Sequence, residues 1–285
     1  MPTPVSKARI FSLTLLAMLA FAGNSLLCRA ALNQTNIDAA SLTTIRLISG
    51  AATLWLVVRL TAGSRAGAGN WISACALFAY AAGFSFAYVS LPAGTGALLL
   101  FGAVQATMIG YGIWSGERLS PLQLVGLALA LGGLIGLLLP GLSAPPVQGS
   151  LLMLAAGVAW GVYSLRGKGV GDPSRVTAGN FLRAAPIAAV ASLAMIDVAS
   201  VDSAGFWLAV TSGALASGVG YAIWYTALPA LKATSAASVQ LSVPVIAALG
   251  GIAFLGEALS LRLLLSSLAI LGGIALVILE KRSPT

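Results

Sequence analysis

Residues 121–139 and 261–279 are apolar runs that no acidic residue interrupts, and runs like them fill most of the chain. A hydrocarbon core about 30 Å thick takes roughly 20 apolar residues of helix to cross. Reading the runs between charged, Pro and Gly breaks gives spans at 10–28, 41–59, 71–91, 95–114, 121–139, 149–166, 177–197, 204–228, 234–254 and 261–279. A membrane β-barrel would show short alternating segments instead. With 59% hydrophobic and 8% charged residues among 285, there is too little polar surface for a water-soluble globule. The expected fold is all-α, a polytopic membrane bundle of ten transmembrane helices with no soluble domain.

The net charge of +8 does not form a stripe for nucleic acid, because the basic residues stand singly at the ends of apolar runs. They behave as topology signals. If the first helix enters from the cytoplasm, that side collects Lys7, Arg9, Arg59, Arg65, Arg118, Arg166, Lys168, Arg175, Lys232, Lys281 and Arg282. Arg29 and Arg262 fall on the other side, with Arg46 and Arg183 inside spans. Such asymmetry places both termini in the cytoplasm and supports an even number of spans. The first run, behind Lys7 and Arg9, continues too far for a signal peptide and is read as the first helix. The chain has no histidine, and Cys28 and Cys75 are not spaced as a metal site or redox pair. No metal, cofactor or catalytic triad is therefore expected.

The chain repeats itself. Gly116-Glu117-Arg118-Leu119-Ser120 recurs 140 residues later as Gly256-Glu257-Ala258-Leu259-Ser260, each followed by a helix with a Gly pair, Gly132-Gly133 and Gly272-Gly273. Ala87-Tyr88-Val89-Ser90-Leu91-Pro92 parallels Trp224-Tyr225-Thr226-Ala227-Leu228-Pro229, and Arg46 parallels Arg183. The expected units are 1–140 and 141–285, each of five helices. Five is odd, so the second must start on the opposite side: the repeats are inverted, as in secondary transporters.

These residues carry a family resemblance. Ala20-Phe21-Ala22-Gly23-Asn24, Ala159-Trp160-Gly161-Val162-Tyr163 and the doubled Gly-Glu string resemble the EamA-like, ten-helix branch of the drug/metabolite transporter superfamily. The second half fits best; the first departs at Phe21-Ala22 and at Val104, which stands where Pro244 would align. Within that branch the chain looks like bacterial exporters of aromatic amino acids. The resemblance implies a multi-pass protein of the bacterial inner membrane.

A carrier needs a cavity near the midplane. The carboxylates Asp38, Glu117, Asp172, Asp197, Asp202, Glu257 and Glu280 all fall in loops or near span ends. Without a central carboxylate there is no obvious seat for a cation or for proton coupling, which favours a neutral or zwitterionic substrate. Arg46 and Arg183, close to span ends, are read as snorkelling or gating residues. Glu117, Glu257 and Pro244 join them as gating or structural elements. Tyr80, Phe84, Phe101, Trp160, Tyr163 and Tyr221 lie deep and suit a planar substrate. Aromatics nearer span ends, among them Tyr88, Trp224 and Tyr225, are read as interface anchors. Asn24, Gln105, Gln240, Ser238 and Ser242 are candidates to hydrogen-bond its polar groups, and Pro244 is expected to kink the ninth helix and free a carbonyl toward the cavity. Gly132 with Gly136, and Gly213 with Ser217, have the spacing of close helix contacts.

The expectation is a non-enzymatic exporter of aromatic and other neutral amino acids or similar metabolites, working by alternating access. Its partners are that substrate and the lipid bilayer, with no nucleic acid, and its expected unit is a monomer. A multidrug exporter of the same superfamily is the nearest alternative. A channel is a different class, and one at odds with an inverted repeat.

Overall fold

The structure is a computed structural model that describes residues 7–62, 69–116, 118–141, 144–167, 172–231, 236 and 239–280. The described elements are α1 (Lys7–Gln34), α2 (Ala39–Ala62), α3 (Trp71–Tyr88), α4 (Ala93–Trp114), α5 (Pro121–Leu138), α6 (Val147–Arg166), α7 (Pro173–Leu193), α8 (Ser203–Ala230), α9 (Ser242–Leu255) and α10 (Leu261–Leu279). Among the described residues, nine of these helices are long and apolar enough to cross a membrane, and α9 is shorter. Side chains such as Leu60, Trp114, Val147 and Phe254 stand exposed, as a surface solvated by lipid tails requires. The chain is a multi-pass, all-helical membrane protein.

Each expected span falls on one helix, with one informative difference. The ninth was expected over 234–254, but its described helix begins at Ser242, and Pro244 stands in its first turn. Ala236, Val239 and Gln240 before it are also helical, with a turn at Leu241 between. Pro244 has no N–H to donate to the Gln240 carbonyl one turn back, and the span is interrupted there. Other irregularities lie elsewhere. Pro186 sits inside α7, and residues Ser212–Val219 of α8 form a π-helical stretch.

The recurring Gly-Glu string has a local physical explanation. Gly116 and Gly256 both adopt left-handed backbone, φ 91° and 65°, just beyond α4 and α9. A residue without Cβ ends a helix there at little cost. Four residues on, Ser120 and Ser260 accept the backbone N–H of Gln123 and Leu263 and so cap the starts of α5 and α10. The string is a helix stop followed by a helix start. Glu117 lies outside the described residues.

Packing pairs the helices in matched sets. α5 lies against α10, and α2 against α7. The contact of α3 with α6 is answered by α8 with α1, α4 with α6 by α9 with α1, and α3 with α7 by α8 with α2. Small residues set the closest approaches, though not all those expected. A Cβ on Gly133 would lie 2.8 Å from Ala269 Cβ on α10, whereas Gly132 and Gly136 have nothing within 4 Å. The expected Gly132/Gly136 contact is thus corrected to Gly126, which faces Gly273 and Leu276, and Gly133, seven residues on, which faces Ala269 and Ile270. Gly213 does pack as expected: a Cβ there would collide with Ser49 and with the Arg46 carbonyl of α2.

Candidate functional site

Helices α3 and α7 start, and α4, α6 and α8 finish, at one end of the bundle, here termed basal; the other end is distal. A cavity of about 450 Å³ lies between α1, α3, α4, α6, α7 and α8. Its rim is basal, formed by Asn70, Ser73, Met108, Arg166, Gly167 and Pro173, and Arg166 Nε bridges to Ser73 Oγ at 3.3 Å. From there it runs inward to Asn24 and Ser25 of α1 and Phe84 of α3.

Aromatic rings build the walls because helical spacing sets them on single faces. Tyr80 and Phe84 stand one turn apart on α3, Trp160 and Tyr163 on α6, and Tyr221 and Tyr225 on α8. Trp160 is the centre of the group. It stacks on Tyr163 (centroids 5.2 Å, planes 26° apart) and on Tyr221 (5.4 Å, 18°), and meets Tyr80 at 4.7 Å. Such ring pairs each stabilise by about 0.5–1.5 kcal/mol beyond area burial.

Two polar networks break this lining. Nearer the rim, Asn180 Nδ2 donates to the Tyr163 hydroxyl (3.3 Å), which donates to Thr177 Oγ1 (3.4 Å), and Thr177 donates to the Tyr225 hydroxyl (3.2 Å). At the inner end, Ser212 Oγ donates to Asn24 Oδ1 at 2.6 Å, and Asn24 Nδ2 donates to the Tyr80 hydroxyl at 3.4 Å. A volume of this size, apolar with a few convergent polar groups, has the character of a small-molecule site.

Beyond that end the bundle is shut. Arg29 Nε pairs with Glu257 Oε1 at 3.3 Å, and Arg29 Nη1 donates to the carbonyls of Tyr88 and Val89 at 3.0 and 3.1 Å. Glu257 also accepts the Ala93 N–H with both oxygens, 3.0 and 2.8 Å, at the start of α4. This ties α1, the α3–α4 turn and the α9–α10 turn together. The carboxylate at a helix N-terminus is favoured by the helix dipole, and hydrogen bonds to charged groups stabilise by about 1.5–3 kcal/mol each.

Of the residues expected to meet substrate, Asn24, Tyr80, Phe84, Phe101, Gln105, Trp160, Tyr163 and Tyr221 all line the cavity, as does Gln240. Ser242 does not: it starts α9, and its hydroxyl donates to the Val239 carbonyl at 2.7 Å. Ser238 lies outside the described residues. The interface-anchor reading of Trp224 and Tyr225 is corrected, since both line the cavity, whose basal opening reaches those turns of α8. The snorkelling reading of Arg46 is also corrected. It is only 3% exposed, two turns inside α2, because packing of α1 and α3 covers it. Arg183 is half-buried and donates to the Gly179 carbonyl of its own helix. Sequence reading missed Thr177 and Asn180, and the available signal was two polar residues three apart within an apolar span, which places them on one face of α7.

Comparison with known proteins places these features in context. Residues 147–279 match the model of the EamA-like transporter family. The chain is 59% identical to the uncharacterized protein PA1977 of Pseudomonas aeruginosa, over 95% of this chain and 94% of that one. It is also similar to a solved crystal structure at a TM-score of 0.67 and 20% identity, over 95% of this chain and 98% of the other, a likeness of fold alone.

Proposed function

Since residues 147–279 form a domain of the EamA-like transporter family, of the drug/metabolite superfamily, we propose that the chain is a facilitative carrier of aromatic and other hydrophobic amino acids. The observation that carries this reading is the aromatic cavity, stacked around Trp160 and open at the basal end while Arg29 and Glu257 bar the distal one. A planar apolar side chain packs against such walls, and the Asn24, Gln105 and Asn180 amides supply hydrogen bonds for its polar end.

The matched packing of α3 with α6 and α1 with α8 supports two inverted units, 1–140 and 141–285, exchanging roles between two states. Among the described residues Lys7, Arg9, Arg59, Arg118, Arg166 and Arg175 stand at basal helix ends and Arg29 and Arg262 at distal ones, which supports a cytoplasmic basal end from which substrate enters for export down its gradient. A pore would need a path past the distal ion pair, whereas a carrier opens each end in turn.

The test is uptake of labelled phenylalanine, tryptophan and threonine into proteoliposomes, with and without an imposed proton gradient. Saturable aromatic uptake with counterflow and no need of the gradient is expected. Absence of uptake under every condition would refute the substrate assignment.

A further inference from the structure

Arg46 is a guanidinium inside a membrane-spanning helix, 3% exposed, and no carboxylate pairs with it among the described residues. A charge so placed costs several kcal/mol of lost hydration unless an opposite charge reaches it. The one hydrogen bond of its guanidinium among the described residues is from Nη1 to Cys28 Sγ, at 3.1 Å. Its Cζ lies 4.9 Å from the ring centroid of Phe84 and 5.9 Å from that of Tyr80, and both rings line the cavity. The guanidinium therefore stands directly behind the inner wall.

The hydrogen bonds between Arg46 and the cavity run in one direction. Arg46 Nη1 donates to Cys28 Sγ, and Ser212 Oγ spends its single hydrogen on Asn24 Oδ1. The Cys28 and Ser212 contact, 3.4 Å, is therefore completed by the thiol hydrogen. Asn24 Nδ2 then donates to the cavity-lining Tyr80 hydroxyl. A chain polarised this way in a low dielectric strengthens each later donor. The inner end of the cavity is thus biased toward accepting negative charge, and among the described residues no carboxylate side chain lines the cavity to oppose it.

We infer that the inner end of the cavity is a carboxylate subsite: a substrate carboxylate meets the Asn24 and Tyr80 side chains, and Arg46 behind them supplies the balancing charge. This deepens the carrier reading, and rests on it for taking the cavity as the substrate site. It makes an organic acid group a requirement of the substrate, with the apolar body lying along Trp160 and Tyr221. A free amine without an acid group is disfavoured by the same field.

The test uses purified full-length protein and three probes of one carbon skeleton, 3-phenylpropionate, 3-phenylpropanol and 3-phenylpropylamine, titrated against the fluorescence of the tryptophans, of which Trp160 and Trp224 line the cavity. The expected result is that the acid binds at least tenfold more tightly than the alcohol and that the amine binds most weakly. Arg46→Gln should bring the acid to the level of the alcohol, and Arg46→Lys should keep a measurable acid preference. An acid that binds no better than the alcohol overturns the subsite using wild-type protein alone, as does an acid preference that survives in Arg46→Gln. Acid preference without phenylalanine transport would leave the subsite standing and remove the amino-acid carrier.

Discussion

Trp160 has ring partners from three helices, Tyr80, Tyr163 and Tyr221, so it holds the cavity wall together while offering its own face to a substrate. Replacing it with alanine removes several interactions of about 0.5–1.5 kcal/mol each. Trp160→Ala is expected to lower saturable aromatic uptake at least tenfold at equal protein incorporation, whereas Trp160→Phe keeps most of it. Equal loss in both variants would mean that stacking is not what the residue contributes. The aromatic candidates were legible from the sequence because a period of three to four residues assigns a helical face without knowledge of neighbours. Arg46 was not. Whether an arginine near the end of a span reaches the interface or is buried depends on which helices cover it, and here Cys28 of α1 and Phe84 of α3 do so.

At the scale of single helices, α5 offers an internal control. Gly132 and Gly133 are adjacent, have equal intrinsic propensity, and differ only in what they face. Gly132→Ala is expected to leave the melting temperature in detergent unchanged or raised, since Ala favours helix over Gly by up to about 1 kcal/mol. Gly133→Ala should lower it, because its Cβ would crowd Ala269 and Ile270 of α10. Identical shifts would show that the α5–α10 contact is looser than the geometry indicates. The sequence pointed to the wrong pair, since small-xxx-small spacing marks several faces of a glycine-rich helix and only the partner selects one. The π-helical stretch of α8 was similarly invisible, although it sets Ser212 against Asn24.

For the molecule as a whole, in the proposed carrier the Arg29–Glu257 pair holds the distal end shut while the cavity opens basally. Glu257→Gln weakens that closure and is expected to shift the population toward a distal-open state. The readout is modification by a membrane-impermeant maleimide of a cysteine placed at Ser25, which lines the cavity, in a background with Cys28→Ser and Cys75→Ser. Distal labelling should rise several-fold and basal labelling fall. If neither changes, the pair is a structural tie and the gate lies elsewhere. Glu257 was read as a gating or structural residue from its place in the repeated string, but its partners, Arg29 and the Ala93 N–H, lie 228 and 164 residues away in the chain.

What the sequence determined by itself was the set of helices and roughly where each lies. Lipid leaves the backbone no other way to satisfy its N–H and C=O groups, so apolar length alone specifies a span, and Gly256 with Ser260 writes a stop and a start into the chain. Most cavity-facing aromatics followed from periodicity, Trp224 and Tyr225 excepted. Only the tertiary structure decided which faces meet: that Gly133 and not Gly132 packs, that Thr177 and Asn180 join Tyr163 at the site, and that Arg46 is enclosed behind Phe84. Local composition records what a residue can do, while burial and pairing are properties of surfaces that come together from distant parts of the chain.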